Sequence, residues 1–197
     1  MKKQLISPTD YKTSNWSGGE TTELFLYPPN GDYGTRQFDY RVSTAKVNLA
    51  QSDFTSLDGF ERLIMSLDNP LELHHTNEFG LRKVMLQPFE VNRFRGSEKT
   101  KSFGTCQDFN LIFSDELEGD MAIKYTESVT QTQSGVTYIY YALKPLKLEL
   151  LGQETREVIS LKSDEMIILS ELEAKERIAF TSEVPSNDPI VIEVIVH

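Results

Sequence analysis

The chain has 197 residues, 39% of them hydrophobic and 25% charged, which excludes a disordered chain and allows one large domain or two small ones. Twenty Lys and Arg against thirty Asp and Glu give a net charge of −10, so the average surface repels phosphates and anionic lipids. A nucleic-acid binder needs a basic footprint to displace counterions, so that class and the membrane-surface class are set aside.

The opening residues, Met1 to Pro8, include two lysines but lack the apolar run of a signal peptide, and no stretch approaches the roughly 20 apolar residues of a membrane span. Cys106 is the single cysteine, which rules out an intrachain disulfide and a cysteine zinc cluster and points to a reducing compartment. The expected setting is the cytoplasm.

Along the chain, short runs rich in Val, Ile, Tyr, Phe and Thr predict strands over Thr22–Tyr27, Phe38–Val47, Arg62–Leu67, Leu71–His75, Arg82–Leu86, Phe89–Phe94, Asp108–Phe113 and Met121–Thr126. The series continues over Thr137–Leu143, Leu146–Leu150, Arg156–Ser160, Met166–Leu169, Ile178–Phe180 and Ile190–Val196. The prolines, at positions 8, 28, 29, 70, 88, 145, 185 and 189, fall between these runs or at their edges, where a missing N–H is tolerated. Asn30-Gly31 reads as a tight turn, and Ser170–Lys175 as one helical turn. Regularly spaced short strands with very little helix indicate an all-β sandwich, jelly roll or barrel.

An internal repeat sharpens the expectation. Leu67-Asp68-Asn69-Pro70-Leu71-Glu72-Leu73 returns in outline as Leu143-Lys144-Pro145-Leu146-Lys147-Leu148. Each copy leads on to a second apolar stretch, Val84–Val91 and Val158–Met166, and then to a terminal apolar strand. Chance similarity among β-strands is the competing explanation; duplication of a strand meander is preferred. The expected division is 1–114 and 115–197, tightly associated.

Three strands each offer a polar pair at i, i+2, which alternation puts on one face. They are Thr21 and Glu23 after Trp16 and the pair Gly18-Gly19, then Arg41 and Ser43, then Asp108 and Asn110. Arg62 begins a further strand. Turned outward, these are ordinary solvated faces. Turned inward, they form a concave site in which Arg41 or Arg62 grips a carboxylate.

Metal and nucleophile chemistry find little footing. His74 and His75 are adjacent, so their rings leave a regular strand on opposite faces, and His197 is the last residue. No histidine bears a recognisable relation to Cys106, which reads as a small apolar filler. Walker and Gly-x-Gly-x-x-Gly phosphate loops are absent. No metal and no cofactor are expected.

The ordered set Trp16-x-Gly18-Gly19-x-Thr21-Thr22-Glu23, Phe38-Asp39-Tyr40-Arg41-Val42-Ser43-Thr44-Ala45, Phe54-Thr55-x-Leu57-x-Gly59-Phe60-x-Arg62, Pro88-Phe89 and Gly104-x-x-x-Asp108-Phe109-Asn110-Leu111-Ile112 resembles the HutD/Ves family over residues 14–113. That resemblance implies two cupin-like (jelly-roll) barrels packed together, related to the RmlC-like cupins and lacking their metal motif. It further implies a link to histidine utilisation through ligand binding or regulation, with formylglutamate-like acids as a ligand class. By it, Trp16, Thr21, Glu23, Arg41, Ser43, Arg62, Asp108 and Asn110 form the pocket. The family pattern places Asn after the Trp, where this chain has Ser17.

The expected function is therefore a non-catalytic, small-molecule-binding or regulatory bicupin. Its partner would be a small polar or anionic metabolite, not nucleic acid or membrane, and a homodimer is compatible with the sequence. Two alternatives stand beside it: a metal-free isomerase or hydrolase using Glu23 or Asp108 as general base, and a structural or interaction module.

Overall fold

Strand alternation governs the computed structural model, which describes residues 1–152, 155–182 and 187–197. The chain begins with β1 (Lys2–Ile6) and a single 3-10 turn at Pro8–Asp10. It continues through β2 (Lys12–Trp16), β3 (Gly19–Tyr27), β4 (Tyr40–Val47), β5 (Gln51–Asp53), β6 (Phe60–Ser66), β7 (Leu71–Asn77), β8 (Gly80–Leu86), β9 (Val91–Arg95), β10 (Lys99–Phe103) and β11 (Cys106–Ser114). The remaining strands are β12 (Gly119–Lys124), β13 (Val129–Gln131), β14 (Thr137–Ala142), β15 (Leu146–Leu151), β16 (Arg156–Leu161), β17 (Met166–Ser170), β18 (Arg177–Thr181) and β19 (Val191–Val196).

Two compact units emerge, one of residues 11–118 and one of residues 1–10 with 119–197. In the first, a six-stranded sheet runs β2-β3-β4-β11-β6-β9 and a four-stranded sheet runs β5-β10-β7-β8. In the second, the sheets run β1-β17-β14-β19-β12 and β13-β18-β15-β16. All named strands pair antiparallel.

The duplication read from sequence is visible in this topology. The order β4-β11-β6-β9 in one unit matches β12-β19-β14-β17 in the other, and β5-β10-β7-β8 matches β13-β18-β15-β16. Each unit is thus a two-sheet, cupin-like jelly roll with buried alternate side chains. The flanking strands are what differ: β2 and β3 extend beyond β4, whereas β1 adds to β17.

Residues 1–10, expected with the N-terminal half, therefore complete the C-terminal sheet. Lys2 to Ile6 pair in register with Ser170 to Met166, and Lys3 Nζ reaches the Glu157 carboxylate at 2.6 Å. The strands expected from pattern are all present. The additional ones, β1, β2, β5, β10 and β13, are short or polar and carry little apolar alternation. The helical turn expected over Ser170–Lys175 does not form: Ser170 ends β17, and Glu171 and Lys175 both adopt positive φ (55° and 72°), which a right-handed helix cannot contain. Asn30-Gly31 closes a turn, with the Gly31 N–H donating to the Pro28 carbonyl at 2.8 Å. Pro185 lies outside the described residues.

The cores of the two units differ in kind. Among the described residues, the second contains a cluster that includes Tyr138, Tyr140, Leu148, Phe180 and Ile190. The first includes smaller clusters among the described residues, around Ile64, Leu73 and Phe94 and around Phe38, Leu57 and Ile112. Polar side chains occupy the inner sheet surface that these clusters leave uncovered.

Candidate functional site

The inner face of β4 carries Arg41, Ser43, Ala45 and Val47, and that of β11 carries Asp108, Asn110 and Ile112; all of them line a hollow of about 340 Å³. That volume lies in the range of small-molecule pockets. Arg62 of β6, Thr21 of β3, and Ser14 and Trp16 of β2 complete this side. Ser52 to Thr55, in and after β5, form the facing wall together with Tyr33 from the β3–β4 connection.

Register explains why these residues meet. Ile112 pairs with Arg41 on one side and Arg62 on the other, so two guanidinium groups flank one apolar residue across three strands. Asn110 pairs with Ser43, which pairs in turn with Glu23. Asp108 pairs with Ala45 and Ser66, and Ala45 with Thr21. Directly opposed residues share a face, so the three sequence pairs form one polar lattice. A register shift between Glu23 and Phe25 then brings Leu26 opposite Arg41.

All eight residues expected in the pocket belong to this unit, and seven of them line the hollow. Glu23 stands behind Arg41, whose Nε donates to Glu23 Oε2 at 2.8 Å. Arg41 Nη1 also donates to Ser43 Oγ at 3.2 Å, and its Cζ stands 4.3 Å from the centre of the Tyr33 ring. With Arg41 only 8% exposed, the Glu23 carboxylate offsets a charge removed from water.

Arg62, also 8% exposed, is held differently. Its guanidinium lies against Phe54 and Phe94, at 4.9 and 5.2 Å from their centres, and Nη1 donates to the Thr55 carbonyl at 3.2 Å. Its buried Nε meets no acceptor among the described residues, and neither does the hydroxyl of Ser52 on the facing wall. Burial pulls this guanidinium down to about 10, which leaves it charged at neutral pH.

Asp108, 3% exposed, is the buried carboxyl of the site. Desolvation pushes it up to about 7, against the opposing pull of the Asn110 amide, of Arg62 and of the Ala45 N–H. Asn110 Nδ2 donates to Asp108 Oδ1 at 2.5 Å. Near neutrality the hollow thus presents two arginines, one already paired with Glu23, a buried carboxyl close to its midpoint, and on the facing wall Asp53, which pairs with Lys101 at 3.4 Å.

The Trp-x-Gly-Gly segment shapes the mouth. Trp16 and Gly19 pair across the β2–β3 turn. A Cβ on Gly18 would stand 2.0 Å from the Trp16 ring, and one on Gly19 would stand 1.8 Å from the Lys46 carbonyl oxygen. Gly19 is required by the approach of the Lys46 backbone, whereas Gly18 lets the indole fold over its own turn. Trp16 stays 39% exposed at the rim, and Ser17 lies exposed on the turn outside the hollow.

The remaining candidates fall where alternation put them. His74 and His75 point to opposite faces: His74 Nε2 meets Glu72 Oε1 at 2.7 Å, whereas His75 is buried. His75 bonds Thr100 through Nδ1 at 2.9 Å and Asn92 through Nε2 at 3.0 Å. Burial lowers His75 to about 4, and its ring packs on Phe94, which carries Arg62 on the hollow side. Among the described residues no three His, Cys, Asp or Glu side chains gather as metal ligands. Burial and Asp108 push the Cys106 thiol up to about 12, so it stays protonated within its apolar cluster. No described helix is long and apolar enough to cross a membrane.

Sequence reasoning missed Tyr33, Ser52 and Asp53 as wall residues, and it quoted Phe54-Thr55 only as part of a motif. Tyr33 sits in an irregular connection, and β5 is three residues long, so neither carries a periodic signal. In the other unit the strand matching β11 carries Glu193, buried and bonded to Lys124 at 2.9 Å, to the Tyr140 hydroxyl at 3.0 Å and to the Thr130 hydroxyl. Rings of Tyr138, Tyr140 and Phe180 fill the space around it.

The family model described as HutD matches residues 8–185. A crystal structure of a conserved protein of unknown function from Pseudomonas aeruginosa PAO1 is similar at TM-score 0.80 and 18% identity, covering 100% of this chain and 99% of that one. HutD from Pseudomonas fluorescens SBW25, solved in a formate condition, is similar at TM-score 0.75 and 19% identity, covering 99% and 98%. Oxalate decarboxylase from Bacillus subtilis is similar at TM-score 0.62 and 7% identity, covering 98% and 76%. These likenesses concern the fold. No curated protein matches the sequence.

Proposed function

This chain belongs to the HutD family, and we propose that it is a cytoplasmic binding or regulatory protein whose N-terminal barrel holds a small anionic metabolite. The supporting observation is the hollow in which Arg41 and Arg62 flank Ile112, with Asp108, Asn110 and the unpartnered Ser52 hydroxyl around them. Guanidinium groups recognise carboxylates through parallel N–H···O bonds, and a desolvated wall strengthens that attraction. Asn110 and Ser43 would read a second polar group, and Trp16 would border the entrance. N-acyl amino acids and small dicarboxylates fit this chemistry, and the family link to histidine utilisation points to the same class.

Thermal denaturation in formate, glutarate and N-formylglutamate tests the reading. A ligand that binds only the folded chain raises the melting temperature with the logarithm of its concentration. The rise should vanish in Arg62→Met. No rise with any of the three contradicts the proposal.

Asp108 supports a second reading. A carboxyl near 7 inside a cavity suits a general acid or base in a metal-free enzyme. Turnover of a bound acid that is lost in Asp108→Asn, with folding and binding intact, would favour it.

A further inference from the structure

We propose that Asp108 takes part in anion recognition as a neutral carboxyl donor, so that the hollow takes up an anion and a proton together. This rests on the small-anion reading above and adds its control by pH.

The geometry places Asp108 in the same hollow as both arginines. Its side chain lies on the β11 face shared with Asn110 and Ile112, and Ile112 is flanked by both arginines. Its carboxyl takes the Asn110 amide at 2.5 Å and the Ala45 N–H, and it forms no ion pair among the described residues. Arg62 cannot simply swing over to it, because Phe54, Phe94 and the Thr55 carbonyl hold that guanidinium in place. An anion drawn in by the arginines therefore enters a hollow whose buried carboxyl feels Arg62 but has no ion-pair partner among the described residues.

Two negative groups in one desolvated space repel each other strongly, and paired carboxyls relieve this by holding a shared proton. The protonated Asp108 would donate an O–H···O⁻ bond to the ligand, a short charge-assisted contact. The favoured ligand is thus an oxyanion presenting one oxygen to a guanidinium and another to this carboxyl.

Other titrating groups around Asp108 do not confuse the reading. From β6 it faces Arg62 and Ser66, from β4 Arg41 and the Ala45 N–H, and from β3 Thr21 with Glu23 behind Arg41. From its own strand come Asn110 and Cys106, from the facing wall Asp53 and Tyr33, and from the turn after β6 Asp68. Burial already holds the free Asp108 near 7, whereas Cys106 and Arg62 change charge only far above neutrality.

The test is calorimetric titration of the full chain with formate and with glutarate between about pH 6 and pH 8.5, in buffer pairs of different ionisation enthalpy. Uptake of one proton weakens affinity about tenfold per pH unit above the Asp108 midpoint. The expected wild-type result is that slope, with about one proton absorbed per anion, and a flat profile in Asp108→Asn. Measurable binding with a flat wild-type profile overturns proton coupling and leaves the pocket reading standing. No binding of either anion at any pH overturns both. Should Asp108→Asn fail to fold, carboxyl-carbon NMR of the wild type decides: formate must move the Asp108 midpoint upward, and an unmoved midpoint overturns the proposal.

Discussion

Arg41 and Glu23 meet across neighbouring strands, Nε to Oε2 at 2.8 Å, beside the register shift that brings Leu26 opposite the arginine. One member of the pair lines the hollow and the other stands behind it, so Glu23 tempers a cation that would otherwise act on the ligand at full strength.

Replacing Glu23 by Gln should therefore tighten anion binding several-fold while largely keeping Arg41 oriented. Glu23→Ala leaves a nearly buried guanidinium without its carboxylate and should cost about 2 kcal/mol of stability. Formate titration and urea denaturation of the two variants separate the effects. Unchanged affinity in Glu23→Gln would contradict the tempering role.

Arg62 should show the opposite balance. Its Nε is buried without an acceptor, and two aromatic rings pack on its guanidinium. Arg62→Met keeps the apolar contacts and removes the desolvated charge, so the ligand-free protein should gain about 1–2 kcal/mol. Anion affinity should fall at least about tenfold. A loss of both stability and binding would show that the guanidinium is structural.

Stability should depend on pH through Asp108 and His75 in opposite senses. Asp108 is raised to about 7 in the folded state, so its contribution is complete below the ordinary carboxyl range and drains as pH climbs through 7. The shift corresponds to something on the order of 4 kcal/mol. His75 is lowered to about 4, so its contribution is complete above about 6.5 and is lost as pH falls through 4. Between about pH 6.5 and 7.5 the Asp108 slope outweighs the opposing His75 slope by roughly two to one. Urea midpoints should fall across that interval in the wild type and rise slightly in Asp108→Asn, where the His75 term alone remains.

The glycine pair should split in its response. A Cβ at Gly18 meets only the far edge of the Trp16 ring, so Gly18→Ala should displace the indole at a cost below about 1 kcal/mol. At Gly19 the obstacle is the Lys46 carbonyl and φ is +154°, so Gly19→Ala should cost about 2–4 kcal/mol. Trp16 is the single tryptophan, so its fluorescence reports the first change and thermal unfolding the second.

Much of this was legible before any coordinates. Period-two alternation put Arg41 with Ser43 and Asp108 with Asn110, and the antiparallel register joins those pairs directly. The repeated outline, Leu67-x-x-Pro70-Leu71 and Leu143-x-Pro145-Leu146, falls at the matching β6–β7 and β14–β15 connections, because a proline immediately before an apolar strand recurs in each copy. What alternation alone could not supply was inside against outside, which depends on the facing β5 wall and on Tyr33. The placement of β1 was equally hidden: Lys2 to Ile6 gain their partner some 160 residues away, and nothing local in Lys-Lys-Gln-Leu-Ile marks it. The same inward-facing lattice is built differently in the two barrels, by polar residues around a space in one and by tyrosines around Glu193 in the other.

The central claim is best tested by an electron-density map of crystals grown in glutarate. The account predicts a planar carboxylate within hydrogen-bonding reach of Arg62 and Asp108 inside the first barrel. Glutarate bound elsewhere on the chain, with only water between Arg41 and Arg62, would contradict it.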